Sequence, residues 1–193
     1  MKILKTTLDD FDENIMNEAI KILADGGVVL YPTDTVYGLG ANIFDRKAVK
    51  RVFNIKQRSL LKPLSILVSD VDAIDLVAKV SLSQKEVIKQ HLPGPYTFIL
   101  NKTEIVPRAV TSGSSLVGVR VPDSRIACGL AKLFPITTTS ANISDEEILS
   151  TPDDLLNQLD CEVDLVIDVG ELSSNTPSRI VDLSRRNPRI IRK

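Results

Sequence analysis

The segment Pro32-Thr33-Asp34-Thr35-Val36-Tyr37-Gly38-Leu39-Gly40 crowds two threonine hydroxyls, an aspartate and a tyrosine into a short stretch. It follows an apolar run, Val28 to Tyr31, which Gly26-Gly27 precedes and which reads as a buried strand. Small polar groups at a strand exit suit a polar ligand. Gly38 and Gly40 let the backbone turn sharply or lie against that ligand, because neither has a Cβ. The same residue types also favour turns on local grounds, so the segment alone leaves both readings open.

Two further clusters have similar chemistry. Lys56-Gln57-Arg58 offers a compact ammonium and a planar guanidinium, a pair suited to polyphosphate if the helix ends before Arg58. On a continuing helix the two would point to opposite sides, and a solvated helix end is the alternative. Thr137 to Ser144, running Thr-Thr-Thr-Ser-Ala-Asn-Ile-Ser, again takes an apolar strand start into hydroxyls and an amide. These groups can serve phosphate oxygens or an adenine edge, or simply form turns. Arg120 interrupts an apolar strand, Leu116 to Val121, and needs either an internal carboxylate or a bound anion.

Several chemistries are excluded. No Gly-x-x-x-x-Gly-Lys-Ser/Thr loop is present, and Gly38-Leu39-Gly40-Ala41-Asn42-Ile43 has Ile where a dinucleotide fingerprint needs its third glycine. His91 is the only histidine, at an apparent helix end where a dipole contact or exposure explains it, so no triad is assigned. Cys128 and Cys161 read as buried free thiols of a reducing compartment. A net charge of −1 and 4% aromatic residues provide neither a global basic field nor a stacking platform for nucleic acid. With no signal-like or bilayer-spanning apolar run, the expected location is cytoplasmic, away from membranes.

The elements that must position these groups alternate through the chain. Helical spacing at Ile15, Ala19, Ile22 and Leu23 stops at Gly26, and Asp45 caps a second helix through Ile55. Ser83-Gln84-Lys85-Glu86 reads as a capping box for a helix ending near Leu92. Ser124 opens a helix through Leu133, and Thr151-Pro152 opens another. Strands are expected at Leu64–Val68, Tyr96–Leu100, Leu116–Val121, Ile136–Thr139, Leu165–Val169, Ile180–Leu183 and Arg189–Ile191. Several succeed one another without a helix between them, so a single α/β domain over residues 1–193 with a mixed sheet is expected.

Five motifs occur in order: Pro32 to Gly40, Lys56-x-Arg58 with Lys62-Pro63-Leu64, Pro93-Gly94-Pro95-Tyr96-Thr97, Gly118-Val119-Arg120-Val121-Pro122, and Ser140-Ala141-Asn142. In this the chain resembles the YrdC family from its first helix onward. The resemblance implies a twisted, open α/β sheet with flanking helices and one concave face. It also implies threonylcarbamoyl-AMP synthase activity on L-threonine, bicarbonate and ATP with Mg²⁺, without naming metal ligands. A partner tRNA threonylcarbamoyl transferase would then modify adenosine 37 of tRNAs reading ANN codons.

Carried over by position, Lys56 and Arg58 are the expected catalytic pair. Substrate contacts fall to Thr33, Thr35, Lys56, Arg58, Arg120, Thr138 and Ser140. Nucleotide contacts fall to Lys56, Arg58, Ser140, Asn142, Ser178 and Arg192. Asp145-Glu146-Glu147 follow the Ser-x-Asn motif where many members have glycine, and would repel phosphate unless they face away or help hold Mg²⁺. Arg179 replaces a usual threonine, and Leu67 stands where some longer relatives have histidine. Two other readings are an RNA-binding module of the same fold, including direct tRNA binding, and a paralogue of the YciO type.

Overall fold

The computed structural model describes residues 1–8, 12–160, 163–185 and 187–192. In chain order its elements are β1 (Lys2–Lys5), α1 (Glu13–Ala24), β2 (Val29–Tyr31), β3 (Gly38–Gly40), α2 (Arg46–Ile55), β4 (Ser65–Leu67), α3 (Ile74–Val77), β5 (Ala78–Lys79) and α4 (Leu82–Lys89). There follow β6 (Tyr96–Lys102), α5 (Arg108–Thr111), β7 (Leu116–Arg120), α6 (Arg125–Leu130), β8 (Ile136–Ser140), α7 (Pro152–Leu159), β9 (Leu165–Asp168), β10 (Arg179–Asp182) and β11 (Arg189–Arg192).

The strands form an open sheet in the order β1-β9-β2-β3-β8-β4-β7-β6-β10-β11, with β5 alongside β6. Neighbours β1/β9, β9/β2, β4/β7 and β6/β10 run parallel, and the remaining pairs run antiparallel. The mixed sheet inferred from the succession of strands is therefore present. Alternation of side chains across the strands divides the core in two. Leu30, Ile66, Phe98 and Val119 face one layer beneath α2 and its neighbours. Val29, Tyr31, Leu67 and Ile136 face the other, beneath α1 and α6.

Caps set the helix starts. The Asp45 carboxylate accepts from the Lys47 and Ala48 amides, and Thr151 caps α7 with Pro152 in its first turn. The capping box of α4 lies two residues earlier than expected. Ser81 accepts from the Gln84 amide while the Gln84 side chain returns to Ser81, so Ser83 and Glu86 are inside the helix. Helix α6 stops at Leu130 rather than Leu133, with Ala131 as its C-cap.

His91 Nδ1 lies 2.8 Å from the Val87 carbonyl, and its ring stands edge-on to Tyr96. Cys128 is half-buried, its thiol pushed up to about 11 chiefly by burial. Cys161 lies outside the described residues. Among the described residues no helix is long and apolar enough to cross a membrane.

Candidate functional site

Register brings small and polar residues together on one sheet face. Gly38 pairs with Ser140, Ser65 with Thr138, Leu67 with Arg120, Ile99 with Gly118, and Thr97 with Ile180. Across β3, β8, β4, β7 and β6 this face carries Gly38, Ser140, Thr138, Ser65, Gly118 and Thr97, interspersed with aliphatic side chains. A cleft of about 140 Å³ opens there. Its lining includes Thr33, Gly38, Arg58, Pro63, Ser65, Thr97, Arg120, Thr138, Ser140, Ser178 and Arg192.

Each wall is built locally. The Thr33 hydroxyl accepts from the Thr35 and Val36 amides and donates its one proton to the Val36 carbonyl at 2.7 Å. Thr35 Oγ1 is therefore the donor in its 3.0 Å contact with Thr33. Thr33 lines the cleft, whereas Thr35 stands behind it, buried and bracing the turn. Gly38 and Gly40 lie in β3 rather than in a turn. A Cβ at Gly40 would sit 2.8 Å from Tyr31 Cε1, and one at Gly38 would sit 3.0 Å from Tyr31 Cζ. The glycines are thus required by the Tyr31 ring, whose hydroxyl donates to Thr138 at 3.1 Å.

Helix α2 ends at Ile55, as the charge pair needs. Gln57 takes a left-handed φ of 48°, and the Arg58 amide closes back on the Phe53 carbonyl at 2.9 Å. Arg58 then fixes its guanidinium on the Lys62 and Pro63 carbonyls, at 3.0 and 2.8 Å, at the cleft wall. Lys56 goes elsewhere. Only 1% exposed, its ammonium donates to the Ser140 carbonyl, the Asn142 carbonyl at 2.7 Å and Asn142 Oδ1 at 3.0 Å. Burial, reinforced by the Arg58 charge, pushes its pKa down to about 7. Ser140 Oγ donates to Asn142 Oδ1 at 2.6 Å, and Asn142 Nδ2 donates to the Glu146 carbonyl. Lys56 and Asn142 therefore form a strut behind the cleft that shapes the loop after β8, and Ser140 carries that loop into the lining.

Arg120 has an internal carboxylate, one of the two partners that its strand position left open. Asp34 Oδ1 accepts from Arg120 Nη2 at 2.5 Å, with both side chains nearly buried. Sequence reasoning did not pair them, although an arginine in an apolar strand and an aspartate at a strand exit were the available signals. Arg192 sets Nε and Nη2 on the Ser178 carbonyl at 3.0 and 2.7 Å, and Ser178 Oγ meets Thr97 Oγ1 at 2.8 Å. Ser65 and Thr97 also line the cleft and were not among the expected contacts, whereas Gly38 lines it as a residue expected to lie against a ligand.

Three guanidiniums thus share one cleft. Burial lowers the pKa of Arg58, Arg120 and Arg192 from the usual guanidinium value, and Arg120 adds repulsion at Arg192. Arginine nonetheless keeps its proton in proteins. Among the described residues Asp34 is the one carboxylate in an ion pair with them, so the hollow is electropositive and suited to a carboxylate or phosphate. Asp145 lies outside the lining and pairs with Lys62 at 2.7 Å, which holds its carboxyl below the usual range. Arg179 lies over the Tyr96 ring and donates to its hydroxyl at 3.3 Å, and Leu67 is sealed in the core. Among the described residues, no group of three or more His, Cys, Asp or Glu side chains is placed to hold a metal.

The protein family described as telomere recombination (Sua5, YciO, YrdC) matches residues 21–193. The chain belongs to this family. A Pyrococcus abyssi protein named threonylcarbamoyl-AMP synthase is 34% identical over 195 residues, covering all of this chain and 57% of its own length. P. abyssi Sua5 complexed with L-threonine superposes with a TM-score of 0.93 at 33% identity, again over all of this chain and 57% of the other. The chain thus spans little more than half of that longer relative. Escherichia coli YciO is 31% identical over 96% of this chain and 91% of its own, and its crystal structure superposes with a TM-score of 0.91. A Buchnera aphidicola threonylcarbamoyl-AMP synthase is 31% identical over 90% of this chain and 94% of its own.

Proposed function

We propose that this chain is a threonylcarbamoyl-AMP synthase, joining L-threonine, bicarbonate and ATP to L-threonylcarbamoyladenylate and pyrophosphate. The observation that carries the reading is the convergence of Arg58, Arg120 and Arg192 with the Ser140 and Thr138 hydroxyls on one electropositive cleft. The L-threonine bound to a Sua5 of the same fold supports the amino acid as substrate.

The chemistry asks little covalent work of the protein. The threonine amine adds to bicarbonate with loss of water, giving a carbamate. A carbamate oxygen then attacks the α-phosphorus of ATP, and pyrophosphate leaves with the electron pair of the broken P–O bond. Two anions must be held together, their repulsion neutralised and water kept from the carbamate. Arg58 and Arg192 supply fixed positive charge at the rim, while Arg120, held by Asp34, supplies it at the floor. Ser140, Thr138 and Ser178 offer hydroxyls for the remaining oxygens. Lys56 and Asn142 act through the loop they brace. Mg²⁺ would arrive on the phosphates and keep mainly phosphate and water oxygens as ligands. Transfer to adenosine 37 of tRNA then belongs to a partner transferase.

The near-complete overlap with YciO supports a second reading, a paralogue with a different ATP-dependent reaction in the same cleft. Pyrophosphate release by the purified chain, measured with ATP, Mg²⁺ and bicarbonate and with each amino acid in turn, separates the two. The synthase requires a signal that depends on both threonine and bicarbonate and is lost in Arg58→Ala. Turnover indifferent to threonine refutes it.

A further inference from the structure

On the opposite layer of the sheet, α2 and α5 enclose a groove of about 290 Å³. Arg46, Lys50 and Arg108 line it over a floor that includes Phe53 and Leu60. An adjoining depression shares Arg46 and Arg108 and adds Phe44. Among the described residues no carboxylate lines either one. Among the described residues, none of these three cations has an ion pair or a side-chain hydrogen bond. The contrast is sharp within α2, where Arg51 is paired with Asp164 at 2.7 Å.

The apolar side of the groove is also unsatisfied. Phe44 is 51% exposed, Leu60 59% and its neighbour Leu61 86%. A single exposed leucine is ordinary, but large apolar side chains gathered beside unpaired cations mark an interaction surface. The buried Ser112 hydroxyl, also in the lining, has no hydrogen-bond partner.

We propose that this groove docks an acidic, leucine-rich segment of a partner protein. Its carboxylates would meet Arg46, Lys50 and Arg108 while its aliphatic side chains cover Leu60 and Phe44. Charge complementarity selects an anionic partner, and the apolar floor selects one with aliphatic side chains beside the charges. A nucleic-acid strand would need stacking rings, of which the described residues expose only Phe44, in the adjoining depression. A flat bilayer surface would leave a concave floor unfilled. Leu60 belongs to the loop that carries Arg58 and Pro63 into the cleft, so an occupant of the groove touches the same loop from behind.

The test is a titration of the ¹⁵N-labelled chain with an amidated peptide of alternating glutamate and leucine. Saturable amide shifts at Lys50, Ala109 and Ser112 that weaken with added salt are expected. The R46E/K50E/R108E variant should bind about tenfold more weakly, from three rim charges acting together. Leu60→Ser, at an exposed loop position, should weaken binding while leaving the thermal midpoint unchanged, and it decides the matter if the triple variant does not fold. Four results overturn the proposal: no shifts at the groove, equal binding by Leu60→Ser, equal binding by a glutamate–serine peptide, or shifts there produced by a single-stranded RNA oligomer or anionic vesicles and not by the peptide. None of these outcomes depends on the cleft's reaction.

Discussion

Replacing Lys56 by Met removes the ammonium that ties α2 to the loop after β8 while keeping most of the side-chain volume. The Ser140 and Asn142 carbonyls lose their ammonium donor in a place sealed from water, while Asn142 Oδ1 keeps the Ser140 hydroxyl. Each buried acceptor left without a partner costs about 1–3 kcal/mol. Against this stands the burial of the ammonium, which a pKa of about 7 in place of 10.5 makes worth on the order of 5 kcal/mol. Two such acceptors cost about 2–6 kcal/mol, so the effects nearly offset below neutral pH and Lys56→Met should change stability there by no more than about 3 kcal/mol. The difference must grow with pH. Between about 7 and 10.5 the unfolded chain keeps a proton on Lys56 that the folded chain has released. Raising the pH through that window therefore favours the folded state, by up to about 1.4 kcal/mol per pH unit. Urea unfolding of both proteins at several pH values across the window measures this. A variant whose stability follows pH with the same slope as the parent would refute the placement of Lys56 as a buried strut. Threonine-dependent pyrophosphate release should fall by more than tenfold in the same variant, because Ser140 loses its position.

Asp34→Asn leaves the nearly buried Arg120 without its counter-charge and should destabilise the chain by about 3 kcal/mol in thermal or urea unfolding. Unchanged stability would mean that the pair is not buried in solution. Arg58→Lys keeps the charge but loses the fork on the Lys62 and Pro63 carbonyls. Turnover should drop about tenfold or more with little change in the unfolding midpoint, and full activity would place Arg58 outside the site. Gly40→Ala drives a methyl to 2.8 Å from the Tyr31 ring and 3.1 Å from Ile136 Cδ1, a destabilisation of about 1–3 kcal/mol in urea. Asp145→Asn breaks only an exposed pair with Lys62, and its unfolding midpoint should match the parent's.

Local chemistry made some of this legible in advance. Asp45 and Thr151 announce helix starts because a side-chain oxygen can satisfy first-turn amides wherever the helix then packs. Ser83 misled because Ser81 offers the same hydroxyl two residues earlier with Gln84 at the right spacing, and sequence pattern does not choose between equivalent caps. The end of α2 before Arg58 was readable from the polar run around Gln57, but its cause, a left-handed Gln57, is a matter of backbone geometry. Gly38 and Gly40 pointed to close approach. That the approaching group is the ring of Tyr31 follows from strand register, which no local feature encodes.

The order of residues carries the inventory: an α/β succession of strands and helices, hydroxyl-rich strand exits, unpaired-looking cations and the family to which they belong. These follow from side-chain chemistry and short-range periodicity, which act within a few residues. Which of those groups face the cleft is set by long-range strand pairing. Register across six strands set Thr138, Ser65, Gly118 and Arg120 on one face, turned Lys56 inward to brace Asn142, and paired Arg120 with Asp34 from a strand exit 86 residues away. Those choices depend on long-range pairing and on burying charge only where a partner waits, and neither is written in any single segment.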